Sequence, residues 1–223
     1  MDLKDKRILI VAPHPDDEAL DSGGLIMRAK KERAFVLVLF MSTGGSRQFV
    51  NGFTTGLDRI NEAKEASKYG GFIYRIGFVD TSTKVDTMPQ KSLIEFIEDY
   101  VKDYVPDIVV IPSRDSYSQD HRAVATAAIS ALRPIPSAIH HQAKMILEVE
   151  EPTSWPNASN PNLYIDISEV MEEKLELYKK HKTQVVEDPY NRSCENLKRL
   201  AGLRGSEIGV KYAEAYTLLK GQL

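Results

Sequence analysis

A single cysteine, Cys194, stands in the 223-residue chain, so an internal disulfide and a cysteine-based zinc cluster are both excluded. Cys194 lies in NRSCENL with no partner motif and reads as an incidental thiol on a helix. Neither sign of charge dominates. Lys and Arg total 29 against 32 Asp and Glu, a net charge of -3, and no global positive field exists to hold nucleic acid or an anionic membrane. Long hydrophobic runs are missing too. The longest, Ala34 to Met41, falls far short of the ~20 residues that a bilayer span needs. The N-terminus, MDLKDKRILIVAP, lacks the pattern of a signal peptide. There is no repeat and no low-complexity tract. The expectation is a soluble, cytoplasmic protein that uses neither nucleic acid nor membrane insertion.

What is present is ordinary globular composition, 42% hydrophobic and 27% charged. Residues 7–12, 34–40 and 107–112 are apolar but for the leading Arg7 and Asp107, as strands covered on both faces are. Residues 72–78, 144–150 and 163–167 are further strand candidates. Helical patterns fall at 18–31, 57–69, 92–104, 120–132, 168–181, 194–203 and 210–219. Gly70-Gly71 is a C-cap signal for the second helix and Ser168 an N-cap signal for the fifth. Strand then helix, repeated, predicts one α/β domain over 1–223: a mainly parallel sheet with helices on both faces. The proline-rich stretch 134–161 reads as a loop-rich excursion near the site, and is a candidate subunit contact in a homo-oligomer.

In such folds ligands gather at the carboxyl ends of the strands. The residues just after 12, 41, 78 and 112 are therefore the ones to inspect. After the first strand stands Pro13-His14-Pro15-Asp16-Asp17-Glu18. A helix cap needs one aspartate; this loop offers a histidine and three carboxylates. After the fourth strand comes Ser118-Gln119-Asp120-His121. His14, one of the two aspartates and His121 form a His/Asp/His set that suits zinc and leaves a position for water. The other aspartate is then placed to take a proton from that water.

These motifs resemble the PIG-L/LmbE-like family of zinc-dependent N-deacetylases. The first corresponds to that family's AHPDDE and the second to its H-x-D-H. Arg59-x-x-Glu62, Asp166-Ile167-Ser168, Met171-Glu172-x-Lys174, His181-x-x-Gln184, Arg204-Gly205 and Ala213-Glu214 extend the likeness over nearly the whole chain. The resemblance implies a Rossmann-like fold and a Zn2+ cofactor held by His14, Asp17 and His121. It implies Asp16 as general base, with Asp120 orienting a neighbouring group and Glu18 supporting. It also implies hydrolysis of an N-acetyl group on an N-acetylglucosamine-type amino sugar or glycoconjugate.

One position departs. Ser118 stands where the family has a histidine that stabilises the oxyanion or protonates the leaving group. A serine donates a hydrogen bond but carries no charge, so a zinc-binding member with weak or altered catalysis is the alternative. Thr43-Gly44-Gly45-Ser46-Arg47 comes after the second strand without P-loop spacing. Arg47 is a candidate for contacting an anionic or sugar group, and Arg59 is the stronger pocket arginine. His140-His141 reads as a solvated pair and His181 as a structural residue at a helix end, favoured there by the helix dipole. A nucleotide-binding Rossmann domain carries little weight, because no glycine fingerprint stands after the first strand.

Overall fold

The computed structural model describes residues 2–48, 52–79, 83–134, 142–152 and 160–222, with the backbone alone at 47 and 48. Among them β1 (Arg7–Ala12), β2 (Phe35–Ser42), β3 (Ser46–Gln48), β4 (Gly52–Thr54), β5 (Ile73–Phe78), β6 (Ile108–Ile111), β7 (Met145–Val149), β8 (Leu163–Asp166) and β9 (Ala213–Gly221) are strands. The helices are α1 (Asp17–Glu32), α2 (Gly56–Gly70), α3 (Gln90–Tyr104), α4 (Gln119–Ala131), α5 (Met171–Tyr178) and α6 (Cys194–Ile208). Seven strands form one sheet in the order β5-β2-β1-β6-β7-β9-β8, and β3 with β4 makes a separate antiparallel hairpin. The pairs from β5 through β7 are parallel, and β9 runs antiparallel to both neighbours.

The alternation of side chains explains why the central strands are apolar throughout. Ile8, Ile10 and Ala12 of β1 point into a core shared with α1, α2, α5 and α6. Leu9 and Val11 point the other way, into a core shared with α3 and α4. Both faces are covered, as the unbroken hydrophobic runs predict. The strand order reverses between β1 and β6, because the chain leaves β1 toward β2 and returns on its other side. That reversal opens a crevice at the carboxyl ends of these two strands.

α1 is not continuous. Ser22 (φ -135°, ψ 19°) leaves helical geometry, and a second helical piece begins after it. Glu214 of β9 caps this piece, accepting from Gly24 N at 2.6 Å and Leu25 N at 2.9 Å. Lys174 Nζ at 2.6 Å and Tyr216 OH at 2.8 Å complete the buried carboxylate's partners. Gly24 is needed here, since a Cβ would lie 2.5 Å from Ile167 Cγ2.

The structure corrects several expectations. Residues 210–219 are not a helix: α6 ends at Ile208, Gly209 forms its left-handed C-cap, and Ala213–Gly221 is strand β9. Ala, Glu, Leu and Lys favour helix locally, but a slot between β7 and β8 satisfies this backbone through sheet pairing and buries Tyr216. Ser168 is not an N-cap, because α5 begins later, after Val170. Its Oγ donates to Asp166 Oδ1 at 2.6 Å and accepts from Tyr212 N at 3.1 Å. α5 also ends at Tyr178, so His181 is not at a helix terminus; it lies in the next turn, with its ring fully buried. The stretch 134–161 is not one excursion, for the interior strand β7 divides it. His140 and His141 lie outside the described residues.

Candidate active site

His14 comes from the turn between β1 and α1, Asp17 is the first residue of α1, and His121 lies in the first turn of α4 after β6. The strand reversal therefore brings the two sequence motifs together. One ligand atom from each of these residues lies within 4.8 Å of the others, the one such group among the described residues. Asp17 Oδ2 is 3.5 Å from His14 Nδ1 and 3.4 Å from His121 Nε2, and it accepts the His14 backbone N–H at 2.8 Å.

Each histidine is oriented from behind. His14 Nε2 is 2.9 Å from Asp120 Oδ2, and His121 Nδ1 is 2.7 Å from Glu151 Oε1. Asp120 Oδ1 accepts from Asp86 N at 3.3 Å, and Glu151 Oε2 accepts from Ser116 Oγ at 2.7 Å. With a proton on the carboxylate-facing nitrogen of each ring, His14 Nδ1 and His121 Nε2 turn lone pairs toward Asp17. This carboxylate–histidine pairing fixes the tautomer and raises the basicity of a metal ligand.

The electrostatics agree with a cation site. Burial works against charge on both imidazoles, yet Asp17 and Glu151 outweigh it at His121 and raise its pKa well above the ordinary value. His14 is raised in the same way by Asp120 and Asp17. Burial likewise opposes ionisation of Asp17, and the two histidines overcome it and hold its carboxyl well down. The cluster attracts positive charge where three ligand atoms converge, and two neutral imidazoles with one carboxylate fit a divalent transition metal.

Asp16 is buried beside this group. Its Oδ1 accepts from Arg59 Nη2 at 2.6 Å and its Oδ2 from Arg192 Nη1 at 3.3 Å. Its backbone N–H donates to Glu18 Oε2 at 3.0 Å. Glu18 Oε1 in turn lies 2.7 Å from His181 Nε2. Arg59 is 3% exposed, and its Nε and Nη2 also hold the Pro15 carbonyl at 3.1 and 2.6 Å. Its Nε and Nη2 are thus engaged on the turn that carries Asp16, and its side chain also forms part of the cavity lining. Ser118 is the N-cap of α4, its Oγ accepting from His121 N. A hydroxyl suits that position as an acceptor for an otherwise orphaned helix N–H. Gly44 (φ +64°) packs against the turn, where a Cβ would meet His14 Cβ at 3.0 Å. Arg47 falls in β3, and its side chain lies outside the described part of the structure.

A cavity of about 410 Å³ opens over these groups, and Asp16, Ser118, Tyr117, Pro152 and Arg192 are among its walls. Two of its polar residues carry no strong sequence signal. Glu151 closes the end of β7, the next strand along the same edge, so the strand-end rule reaches it once 144–150 is read as a parallel strand. Arg192 lies in the loop before α6 and has no local signal.

A family model described as PIG-L, GlcNAc-PI de-N-acetylase, matches residues 9–132. The chain belongs to the PIG-L family. That span covers β1 through α4 and contains both halves of the ligand group. Among PIG-L relatives, the diacetylchitobiose deacetylase of Thermococcus kodakarensis is 26% identical over 97% of this chain and 84% of its own. The uncharacterized deacetylase YaiS of Escherichia coli is 30% identical over 81% of this chain and 92% of its own. Among solved structures, the 4-carboxy-2-hydroxymuconate hydratase GalB of Pseudomonas putida shares the fold, with a TM-score of 0.81 at 18% identity over 98% of each chain. No helix among the described residues is long and apolar enough to cross a membrane.

Proposed function

We propose that this PIG-L protein is a zinc-dependent hydrolase that removes the acetyl group from an N-acetylglucosamine-type amino sugar. The observation that carries the reading is the convergence of His14, Asp17 and His121 beside a buried carboxylate, Asp16, at the mouth of a cavity. Deacetylase relatives that match most of the chain support the reaction class. Zinc, held by His14 Nδ1, His121 Nε2 and Asp17, would polarise the amide carbonyl and acidify a water.

The chain's own residues do the rest. Asp16 takes a proton from the attacking water and later returns it to the departing amine. Arg59 fixes the orientation of Asp16 and of the Pro15 carbonyl, which makes it a positioning residue in this scheme. Asp120 holds His14 and Glu151 holds His121. Ser118 contributes a hydroxyl to the cavity wall. Arg47 stands on the hairpin after β2, at the same sheet edge, and is our candidate for a sugar or anionic group.

The test is metal content of the purified protein together with amine release from N-acetylated sugars. About one zinc per chain with amine release is expected. Asp16→Ala should keep the metal and lose most of the rate; full activity in that variant removes Asp16 from its role. Ser118 favours one competing reading, a zinc-binding protein with weak or altered catalysis. A steep rise in rate for Ser118→His would mark Ser118 as a lesion, and no gain or a loss would mean that the serine belongs to a different chemistry.

A further inference from the structure

The two oxygens of Asp16 are not equivalent. Oδ1 is bound at 2.6 Å by Arg59, which is 3% exposed and holds Pro15 O with the same guanidinium. That contact is buried, and the same guanidinium is tied to the turn. Oδ2 is therefore the oxygen able to accept a proton. Its partner is Arg192 Nη1 at 3.3 Å, long against the 2.7–2.9 Å or so of a charge-assisted bond. The Arg192 side chain is 30% exposed and faces the cavity. Its backbone, by contrast, is pinned. Ser193 caps α6 by accepting from Asn196 N at 3.1 Å, and Ser193 N donates to Tyr190 O at 2.9 Å. Arg199 pairs with Asp188 across the same loop. The adjustable part is the guanidinium.

We propose that Arg192 is a catalytic residue: in the free cavity it rests on Asp16 Oδ2, and with substrate bound it donates to the acyl oxygen as that oxygen gains negative charge. The inference rests on the amide-hydrolase reading above. A neutral hydroxyl offers roughly half the bond of an ionised acceptor and is a poor exchange for the Asp16 carboxylate. An oxyanion is an equal one. The reaction also needs such a donor, because Ser118 occupies the family's histidine position and cannot carry charge. Burial works against the Arg192 charge, but Asp16, Tyr178, Tyr117 and Asp17 more than restore it. Tyr117 adjoins Ser118, so the guanidinium sits within the field of both the base and the start of α4.

A proton of the attacking water passes to Asp16 Oδ2 while the water oxygen bonds to the acyl carbon. The carbonyl π pair moves to the acyl oxygen, which Arg192 Nη1–H meets. On collapse the C–N bond breaks, its electron pair stays on nitrogen, and Asp16 returns the proton there. The products are acetic acid and the free amine.

The experiment compares wild type with Arg192→Ala, Arg192→Lys and the Arg192→Ala/Ser118→His pair, each checked for metal content and thermal melting. Arg192→Ala should lower kcat roughly 100-fold with KM little changed, the scale of losing one oxyanion donor. Arg192→Lys should keep part of the rate, and Ser118→His should restore part of what Arg192→Ala loses. A second readout is calorimetric affinity for the methylphosphonamide of glucosamine, a tetrahedral anionic mimic. It should weaken by a similar factor in Arg192→Ala, with glucosamine affinity unchanged. A rise in KM alone, or equally tight phosphonamide binding by wild type and Arg192→Ala, overturns the inference, as does a wild type that does not bind the phosphonamide. Arg192-dependent phosphonamide binding without amine release from any sugar would instead refute the deacetylase reading and leave the Arg192 contact standing.

Discussion

Glu151 offers a sharp test of the candidate metal site, because its carboxylate holds His121 from behind. Its Oε1 lies 2.7 Å from His121 Nδ1, its Oε2 accepts from Ser116 at 2.7 Å, and the residue is 3% exposed. Glu151→Gln keeps the shape and one acceptor oxygen but removes the charge. A bond to a charged acceptor contributes about 1.5–3 kcal/mol and a neutral one about 0.5–1.5. The difference, about 1–1.5 kcal/mol, is roughly 5–15-fold in zinc affinity at 1.4 kcal/mol per tenfold. Glu151→Ala also leaves the Nδ1–H without its acceptor and frees the ring to turn, so a loss of about 10–100-fold is expected. Competition with a chelator of known affinity, in one buffer and at one pH, measures both. Unchanged affinity in the alanine variant would mean that His121 is not held through Glu151. A loss as large as that of His121→Ala would mean that Glu151 is itself a ligand.

The pH dependence of binding comes from the same contacts. In the metal-free protein Asp17 and Glu151 overcome burial and raise the His121 pKa well above 6.5. That ion pairing is fully present below the unfolded value and is lost as the pH rises through the raised one. Zinc needs the neutral ring, so it must displace a proton, and its apparent affinity should climb with pH and level off above the raised pKa. Calorimetry in two buffers of different ionisation enthalpy should show proton release; affinity independent of pH with no release would refute the ligand assignment. Elsewhere, Glu214→Ala strands the Lys174 ammonium, whose side chain is 6% exposed, and uncaps Gly24 and Leu25. A loss of about 3–5 kcal/mol in denaturant unfolding is expected, as for a broken buried ion pair. A loss below about 1 kcal/mol would show that the cap is dispensable.

The layered core was legible because its signals are local and redundant. A short apolar run such as 8–12, in a chain that alternates such runs with helical patterns, reads as a strand covered on both sides, and Gly71 stops α2 where the glycine pair says it should. The end of the chain was not legible in the same way. Residues 210–219 carry helix-forming side chains, and the fact that decides their state, an open slot between β7 and β8, lies in no window of sequence. One local cue was available. Gly209 adopts φ +75° as the C-cap of α6, so a break there separates α6 from the strand beyond it. Ser168 misled for a related reason. Its hydroxyl had a nearer partner in Asp166, forming a side-chain turn that competes with helix capping.

The site divides along the same line. The convergence of His14, Asp17 and His121 was readable because they occupy two short motifs at strand ends, and a parallel sheet delivers strand ends to one edge. The groups that orient those histidines were readable only in part. Asp120 lies inside a motif that implies an orienting role, and the structure places it on His14. Glu151 has the same relation to His121 but stands among three glutamates near the end of β7, where composition does not tell them apart. Geometry does: Glu148 pairs with Arg114, Glu150 with Arg204, and Glu151 alone of the three turns to a histidine. Arg59 shows the converse. A family motif marks it as a pocket arginine and it does line the cavity, yet burial and the Pro15 carbonyl bind its Nε and Nη2 to the turn; of the two arginines described in the lining, Arg192 is the more exposed. An arginine's identity says that a charge is present; only its partners say whether that charge is free to meet a substrate. Of these two arginines, the one with the stronger motif is the more firmly tied to the fold.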